Sequence, residues 1–248
     1  MDLKNASRDH DKISYLSDSK LKRFSRSEPL EIFKFSAELL DDIKKPIPGK
    51  LPKLLDIGCA AGEFLYWLEK TDIQLFGMDP IPELIQAASD KLTQKCILTV
   101  GSATDHNAHQ KDTYDYITMI NVHMVFDDLH QVIENIYKWL KPGGRFILTG
   151  AFSPNRYTLL SRYIDTTNTE GLKFGWNLHS LPGTIKIFTE TGFTNVSSAR
   201  FQMPFPVIQR PDDDLSQFTQ EFDDGRQELF NGLSMHVQNY RLCGDKHK

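Results

Sequence analysis

The amino-acid sequence predicts an α/β protein: a doubly wound, mostly parallel sheet preceded by a helical cap and followed by β additions. Two observations carry that prediction. From Leu54 onward, short apolar runs alternate with amphipathic stretches: LLDIG then EFLYWLEK, LFGMD then PELIQAASDKL, CILTVG, YDYITMI then HQVIENIYKWL, and GRFILTG. Strands alternating with helical patterns make a parallel sheet covered by helices on its faces. The first run also ends in an acid followed by small residues, LLDIGCAAGEF, the form of a strand that turns tightly into a helix.

The elements follow in order. Residues 1–46 form an N-terminal helical cap, polar to about residue 28 and then apolar at helical spacing at Leu30, Phe33, Leu39, Leu40 and Ile43. KKPIPGKLP reads as a linker, because prolines and a glycine stop regular structure. Residues 47–200 hold the sheet domain, with an insertion at about 151–180 where the periodicity loosens. LPGTIKIFTETGF restores a helix, and a strand is expected around Val196 to Phe201. Residues 201–248 are a β extension on the same domain, with a hairpin turning at Asp224-Gly225 between QFTQEF and QELFNG.

Bulk properties narrow the function. With 40% hydrophobic and 25% charged residues, the 248-residue chain is a soluble globular protein with a substantial core. A net charge of −4 gives no global attraction to phosphate backbones or anionic lipid, so nucleic acid is disfavoured as a partner. Cys59, Cys96 and Cys243 are too scattered for a disulfide framework or a CxxC metal site, which fits a reducing compartment. The N-terminus lacks a signal-peptide core and no run reaches the ~18 apolar residues of a membrane span. A cytoplasmic protein without membrane contact is the expectation.

The chemistry starts at the first turn. Gly58 to Gly62 must carry the chain from strand to helix, and glycine there permits positive φ and a close ligand. Asp79, at the end of LFGMD, lies 21 residues after Gly58, a spacing suited to ribose hydroxyls. A dinucleotide turn would show GxGxxG; here Gly58, Ala60 and Gly62 are followed by Glu63, which would repel a pyrophosphate. Asp56 at the mouth of the turn suits a cationic ligand end, or else a bond to loop amides.

DIGCAAGEF, GMDP, VGSA, YDYITMINV and LKPGGRFIL, in that order and spacing over about Leu54 to Thr149, resemble the class I S-adenosylmethionine-dependent methyltransferases. The resemblance implies a Rossmann-like fold, S-adenosylmethionine as cofactor and S-adenosylhomocysteine as its product. It places Gly58, Ala60 and Gly62 along the methionine part, with Asp56 near its cationic end. Asp79, followed by Pro80, would hold the ribose; Ser102 and Ala103 would lie beside the adenine, and Asn121 where the fourth strand passes the methionine. Two departures stand out: Ala60 replaces a middle glycine, and Ser102 stands where the family often has an acid. Tyr15 is a candidate cover for the cofactor.

Beyond the donor, expectations rest on position. His123, two residues past Asn121, is the candidate general base, since histidine titrates near neutrality. Arg156, Tyr157, Trp176 and His179 are candidates to contact the acceptor, offering aromatic faces and a guanidinium. The acceptor is expected to be a metabolite or sugar-type small molecule, methylated on oxygen or nitrogen. No metal is expected: Asp127 and Asp128 are adjacent but lack the carboxylate company of a metal-assisted enzyme. NVHM is not the N-P-P-Y type motif of amino-directed DNA methyltransferases. An RNA-base methyltransferase is the alternative, on the basic cluster Lys20, Lys22, Arg23 and Arg26; a third reading is a cofactor-binding protein without chemistry. The sequence sets no oligomeric state.

Overall fold

The computed structural model describes residues 28–40, 50–93, 95–167, 171–211 and 213–248. Helix α1 (Glu31–Ala37) continues as a short 3-10 turn to Leu40. Strand β1 (Lys53–Ile57), helix α2 (Glu63–Leu68), β2 (Gln74–Asp79), α3 (Pro82–Ser89) and β3 (Ile97–Val100) then alternate. The chain returns across the sheet as β4 (Tyr114–Ile120), α4 (His130–Trp139) and β5 (Leu140–Ser153). Short strands β6 (Arg162–Ile164), β7 (Leu172–Phe174) and β8 (His179–Ser180) occupy the expected insertion. Helix α5 (Leu181–Thr191), β9 (Phe193–Phe201), the hairpin β10 (Phe218–Glu221) and β11 (Gln227–Phe230), and β12 (Gln238–Lys246) complete the order.

The main sheet runs β3-β2-β1-β4-β5-β12-β9, with β8 paired to the end of β5. β1 to β5 are mutually parallel, whereas β12 is antiparallel to both β5 and β9. The chain winds outward from β1 to β3 and then restarts at β4 on the other side of β1. Such a switch point opens a crevice at the carboxyl ends of β1 and β4. Residues 238–246, expected as part of an appended β extension, therefore lie inside the sheet.

Strand alternation divides the core. Leu55, Ile57, Phe146, Leu148 and Phe152 meet Ile133, Ile136 and Trp139 of α4 and Phe188 of α5. Leu54, Leu75 and Ile147 on the opposite face meet Phe64 and Leu65 of α2 and Leu40. Helix α1 is fixed to this second face by polar contacts. Ser36 is buried with its hydroxyl 2.9 Å from Thr149 Oγ1, and the Arg241 guanidinium lies 4.1 Å over the Phe35 ring while donating to Glu38 Oε2 at 2.9 Å.

In sequence, Pro142, Gly143 and Gly144 within LKPGGRFIL read as a tight reversal before the fifth strand. Instead β5 begins at Leu140, and the Pro-Gly-Gly segment is an irregularity within it: pairing jumps from Tyr114↔Leu140 to Tyr116↔Arg145. The glycines let the strand bulge without ending it. At the other end of that stretch Arg145 forks onto Asp245 at 2.7 and 3.3 Å, and Lys246 reaches Asp112 and Leu140 O at 2.7 and 2.8 Å, which pins β12 in place. No helix among the described residues is long and apolar enough to cross a membrane.

Candidate active site

At the carboxyl end of β1 the chain folds over β2 before entering α2. The amides of Gly58 and Cys59 donate to Met78 O at 2.7 and 3.1 Å, and Gly62 N closes on Cys59 O at 2.9 Å. Gly58, Ala60 and Gly62 take φ values of 69°, 48° and 85°. The glycines answer to packing as well as to conformation: a Cβ on Gly58 would fall 2.4 Å from Val122 Cγ2, and one on Gly62 2.7 Å from Leu92 Cδ1. The room that bare backbone suggests for a ligand is, over Gly58, taken by Val122. Ala60 holds the left-handed conformation despite its side chain, at a cost of about 1 kcal/mol.

Asp79 organises the turn from the end of β2. Its Oδ2 accepts from Ala60 N and its Oδ1 from Ile81 N, both at 3.0 Å, and each oxygen keeps a further lone pair. Gly101 N donates to Asp79 O at 3.0 Å, which aligns the end of β3 with this carboxylate. Just beyond, Ser102 Oγ lies 2.9 Å from Thr104 Oγ1, and buried Ala103 accepts from Asn135 Nδ2 at 2.9 Å through its carbonyl. Pro80 is exposed at the rim.

Asp56 lies deeper, 4% exposed, with Thr118 Oγ1 donating to it at 2.7 Å. Burial raises its pKa from 3.8 to about 7; the Thr118 bond opposes that rise and the Asp79 charge adds to it. Asp79 is raised too, chiefly by burial, against the two amides of Ile81 and Ala60. Among the described residues, no cationic side chain pairs with either acid. Two desolvated carboxylates without a counter-charge favour a ligand that brings a positive group.

Asn121 ends the crevice on the β4 side, at φ 57°, with its amide donating to Thr149 O at 2.8 Å. His123 follows in a 3-10 turn, and its placement corrects the expectation of a general base. The ring is fully buried, stacks on Phe152 with centroids 4.3 Å apart, and donates from Nε2 to Ala151 O at 2.9 Å. Nδ1 has no hydrogen-bond partner among the described residues. Burial, with His179 beside it, pushes the pKa down to about 3, and the Ala151 bond only partly opposes this. So placed, the ring is a buried neutral group that packs and hydrogen-bonds, and its low basicity does not suit it to general-base work. Its slot exists because residue 150 is glycine: a Cβ there would lie 2.6 Å from His123 Cε1 and 3.0 Å from Asn121 Oδ1.

A family model described as a methyltransferase domain matches residues 55–146, the stretch that contains the turn, Asp79, Asn121 and most of the parallel sheet. Over that stretch the chain is similar to class I S-adenosylmethionine-dependent methyltransferases. Phosphoethanolamine N-methyltransferase 1 of Arabidopsis thaliana is 26% identical over 187 residues, covering 71% of this chain and 35% of that protein. The mitochondrial ubiquinone biosynthesis O-methyltransferase of Mus musculus is 29% identical over 114 residues, covering 42% of this chain and 30% of that protein. The chain thus spans about a third of the length of these curated relatives. Among solved structures, the YcgJ protein from Bacillus subtilis aligns with a TM-score of 0.59 at 15% identity, over 87% of this chain and 99% of that one. Haemonchus contortus phosphoethanolamine N-methyltransferase 2 in complex with S-adenosyl-L-methionine aligns with a TM-score of 0.62 at 12% identity, over 97% and 60%. These structures share its fold.

In this chain the segment after β5 packs against the turn that carries His123. Arg156 and Tyr157 are exposed and touch each other, Arg156 Nη2 donating to Tyr157 Oη at 2.7 Å. Trp176 is half-buried against Met124 and Leu178, and His179 is buried with Nε2 donating to Phe126 O at 2.9 Å. His179 therefore braces the loop after β4, and Arg156 and Tyr157 lie at the surface. Tyr15 lies outside the described residues.

Sequence reasoning missed Asn177. It is 1% exposed and uses both ends of its amide: Nδ2 donates to Phe126 O and Asp127 Oδ1, both at 2.9 Å, and Oδ1 accepts from Ser161 N at 3.0 Å and Arg162 Nη1 at 3.4 Å. Arg162 Nη2 also reaches Asp127 Oδ2 at 2.6 Å. One amide thus ties the loop after β4 to the β6–β7 ribbon. An asparagine between tryptophan and leucine in FGWNLHS gives only a weak signal of this, because all four of its partners are more than ten residues away.

Proposed function

We propose that the chain transfers a methyl group from S-adenosylmethionine to an oxygen or nitrogen of a small-molecule acceptor by in-line displacement, releasing S-adenosylhomocysteine. The observation that carries this reading is the pair of buried carboxylates, Asp56 and Asp79, on either side of the tight turn after β1, with no cationic side chain paired to either among the described residues. A ligand with an ammonium group and a ribose fits that pair; a pyrophosphate does not. Asp79 keeps a lone pair on each oxygen for the ribose hydroxyls. Asp56 supplies charge for the cationic end, Gly58, Ala60 and Gly62 form the wall beside it, and Ser102 and Ala103 border the adenine side. Asn121 faces the methionine end.

S-adenosylmethionine supplies the activated methyl group. The chain's own part is to hold the acceptor in line with it and keep water out. His123 is no base in this scheme. The relatives' names include an N- and an O-methyltransferase, which supports leaving both nitrogen and oxygen as acceptor atoms here. Isothermal titration with S-adenosylmethionine and S-adenosylhomocysteine tests the donor half: saturable one-to-one binding, weakened at least tenfold by Asp79→Ala, is expected, and no binding by the wild type sinks the proposal.

A second reading, a cofactor-binding protein without chemistry, is favoured by the sealed position of His123. Labelled-methyl incorporation from the cofactor into a small-molecule extract separates the two, since only the transferase gives a labelled product.

A further inference from the structure

Where β9 and β12 reach the carboxyl end of the sheet, a groove of about 250 Å³ opens against the β10–β11 hairpin. Asn239 lines it, paired through its backbone with Ala151 on one side and Phe201 on the other. Met203, Phe205, Leu229 and Val237 supply the apolar surface. Asn239 is only 6% exposed, and its Oδ1 has no hydrogen-bond partner among the described residues. Leaving a buried amide oxygen unpaired costs about 1–3 kcal/mol, so such an atom calls for an explanation.

Position connects the groove to the crevice. Val237 and Leu229 pack in one small cluster with Ala151 and Met124. Ala151 O takes the His123 hydrogen bond, and Met124 is the next residue of the same turn. β12 lies two strands from β4, about 10 Å at ordinary strand spacing. Whole-ligand pockets run from roughly 300 Å³ upward, so this groove suits one end of a molecule whose remainder lies over β5 toward Asn121.

The lining defines that end. A side-chain amide presents a donor and an acceptor side by side, and its terminal torsion is soft enough to turn either toward the groove. The charges nearby are already matched: Glu228 lies 3.9 Å from Arg200 and 3.0 Å from His236. The complement is therefore neutral, with an adjacent donor and acceptor on an apolar body.

We propose that the groove holds the distal end of the methyl acceptor, a neutral amide-like group on an apolar framework, about 10 Å from the atom that receives the methyl. The word acceptor rests on the transferase reading above; the groove's ligand chemistry does not.

Benzamide is the probe, with benzoate and methyl benzoate as charged and donor-free controls, read by NMR on isotope-labelled protein. Benzamide should saturate with shifts at the Asn239 side-chain amide, Leu229 and Val237, and both controls should bind at least tenfold more weakly. Asn239→Leu should weaken benzamide at least tenfold, and so should Phe205→Ala, at a residue that is 53% exposed. Equal binding by both variants, or shifts elsewhere, overturns the site. In the labelled-methyl assay, Asn239→Leu should cut incorporation at least tenfold while S-adenosylhomocysteine affinity stays within twofold. Unchanged incorporation, or a wild-type product too compact to span 10 Å, removes the acceptor from the groove. Failure of the wild type to bind S-adenosylhomocysteine instead overturns the transferase reading and leaves the benzamide result standing.

Discussion

Asp56 makes the binding of a cationic ligand a proton-linked event. Its carboxyl, with a pKa raised by burial to about 7, is largely protonated in the ligand-free protein below that pH. A ligand ammonium prefers the ionised form, so binding expels a proton. If only ionised Asp56 binds, the apparent dissociation constant rises about 25-fold between pH 7.5 and pH 5.5, roughly 2 kcal/mol. The window stops at pH 7.5 because the ligand's own amine titrates above it. Titration calorimetry of S-adenosylhomocysteine in two buffers of different ionisation enthalpy measures both the affinity and the released proton. Thr118→Val removes the 2.7 Å bond that holds the pKa down and should move the inflection upward; Asp56→Asn should bind weakly, with this inflection gone. A flat wild-type profile, or the same inflection in Asp56→Asn, would refute the reasoning. The stability of the ligand-free protein carries the opposite sign. Because the folded pKa lies above the unfolded one, the folded state keeps its proton longer, and stability falls as pH rises from about 4 to about 7, by up to about 4 kcal/mol.

Other expectations follow from local geometry. Ala60→Gly should raise unfolding stability by about 0.5–1 kcal/mol in urea titrations, since it relieves the left-handed alanine; Gly58→Ala, in the same conformation and against Val122, should lower it by about 1–3 kcal/mol. Asn177→Ala should cost about 1–3 kcal/mol by the same measurement, because it strands Ser161 N and takes one of two donors from Phe126 O, which keeps His179 Nε2; a loss under 0.5 kcal/mol would show that the amide does not tie the loop to the ribbon. His123→Phe keeps the stack on Phe152 and should leave turnover within about threefold, whereas a hundredfold loss at unchanged cofactor affinity would return the ring to the chemistry.

The repeating strand and helix pattern from Leu54 to Gly150 was legible because each element carries its own apolar period, and Asp79 because it ends a strand at a set distance from a glycine turn. The hairpin at Asp224-Gly225 was legible for a similar local reason: Gly225 takes φ 80° between β10 and β11. What escaped depends on distant partners. Nothing in QNYRLCGDK announces that this strand slots between β5 and β9. Likewise the burial of His123 depends on Gly150 and Phe152, more than twenty-five residues away. A strand-end histidine looks the same in sequence whether it opens on a crevice or is sealed under a neighbouring strand.

The interior position of β12 governs the order of assembly. Among the described residues, β9 meets the sheet only through β12, so its ladder waits for residues 238–246 to be synthesised and to arrive. The parallel half, β1 to β5, can close earlier as a unit, while β5 offers a bare edge until the last strand inserts. Hydrogen exchange should accordingly show β9 and β12 opening together as one cooperative block, separate from β1 and β4. Without residues 238–246, β5 would present that edge for pairing with another chain.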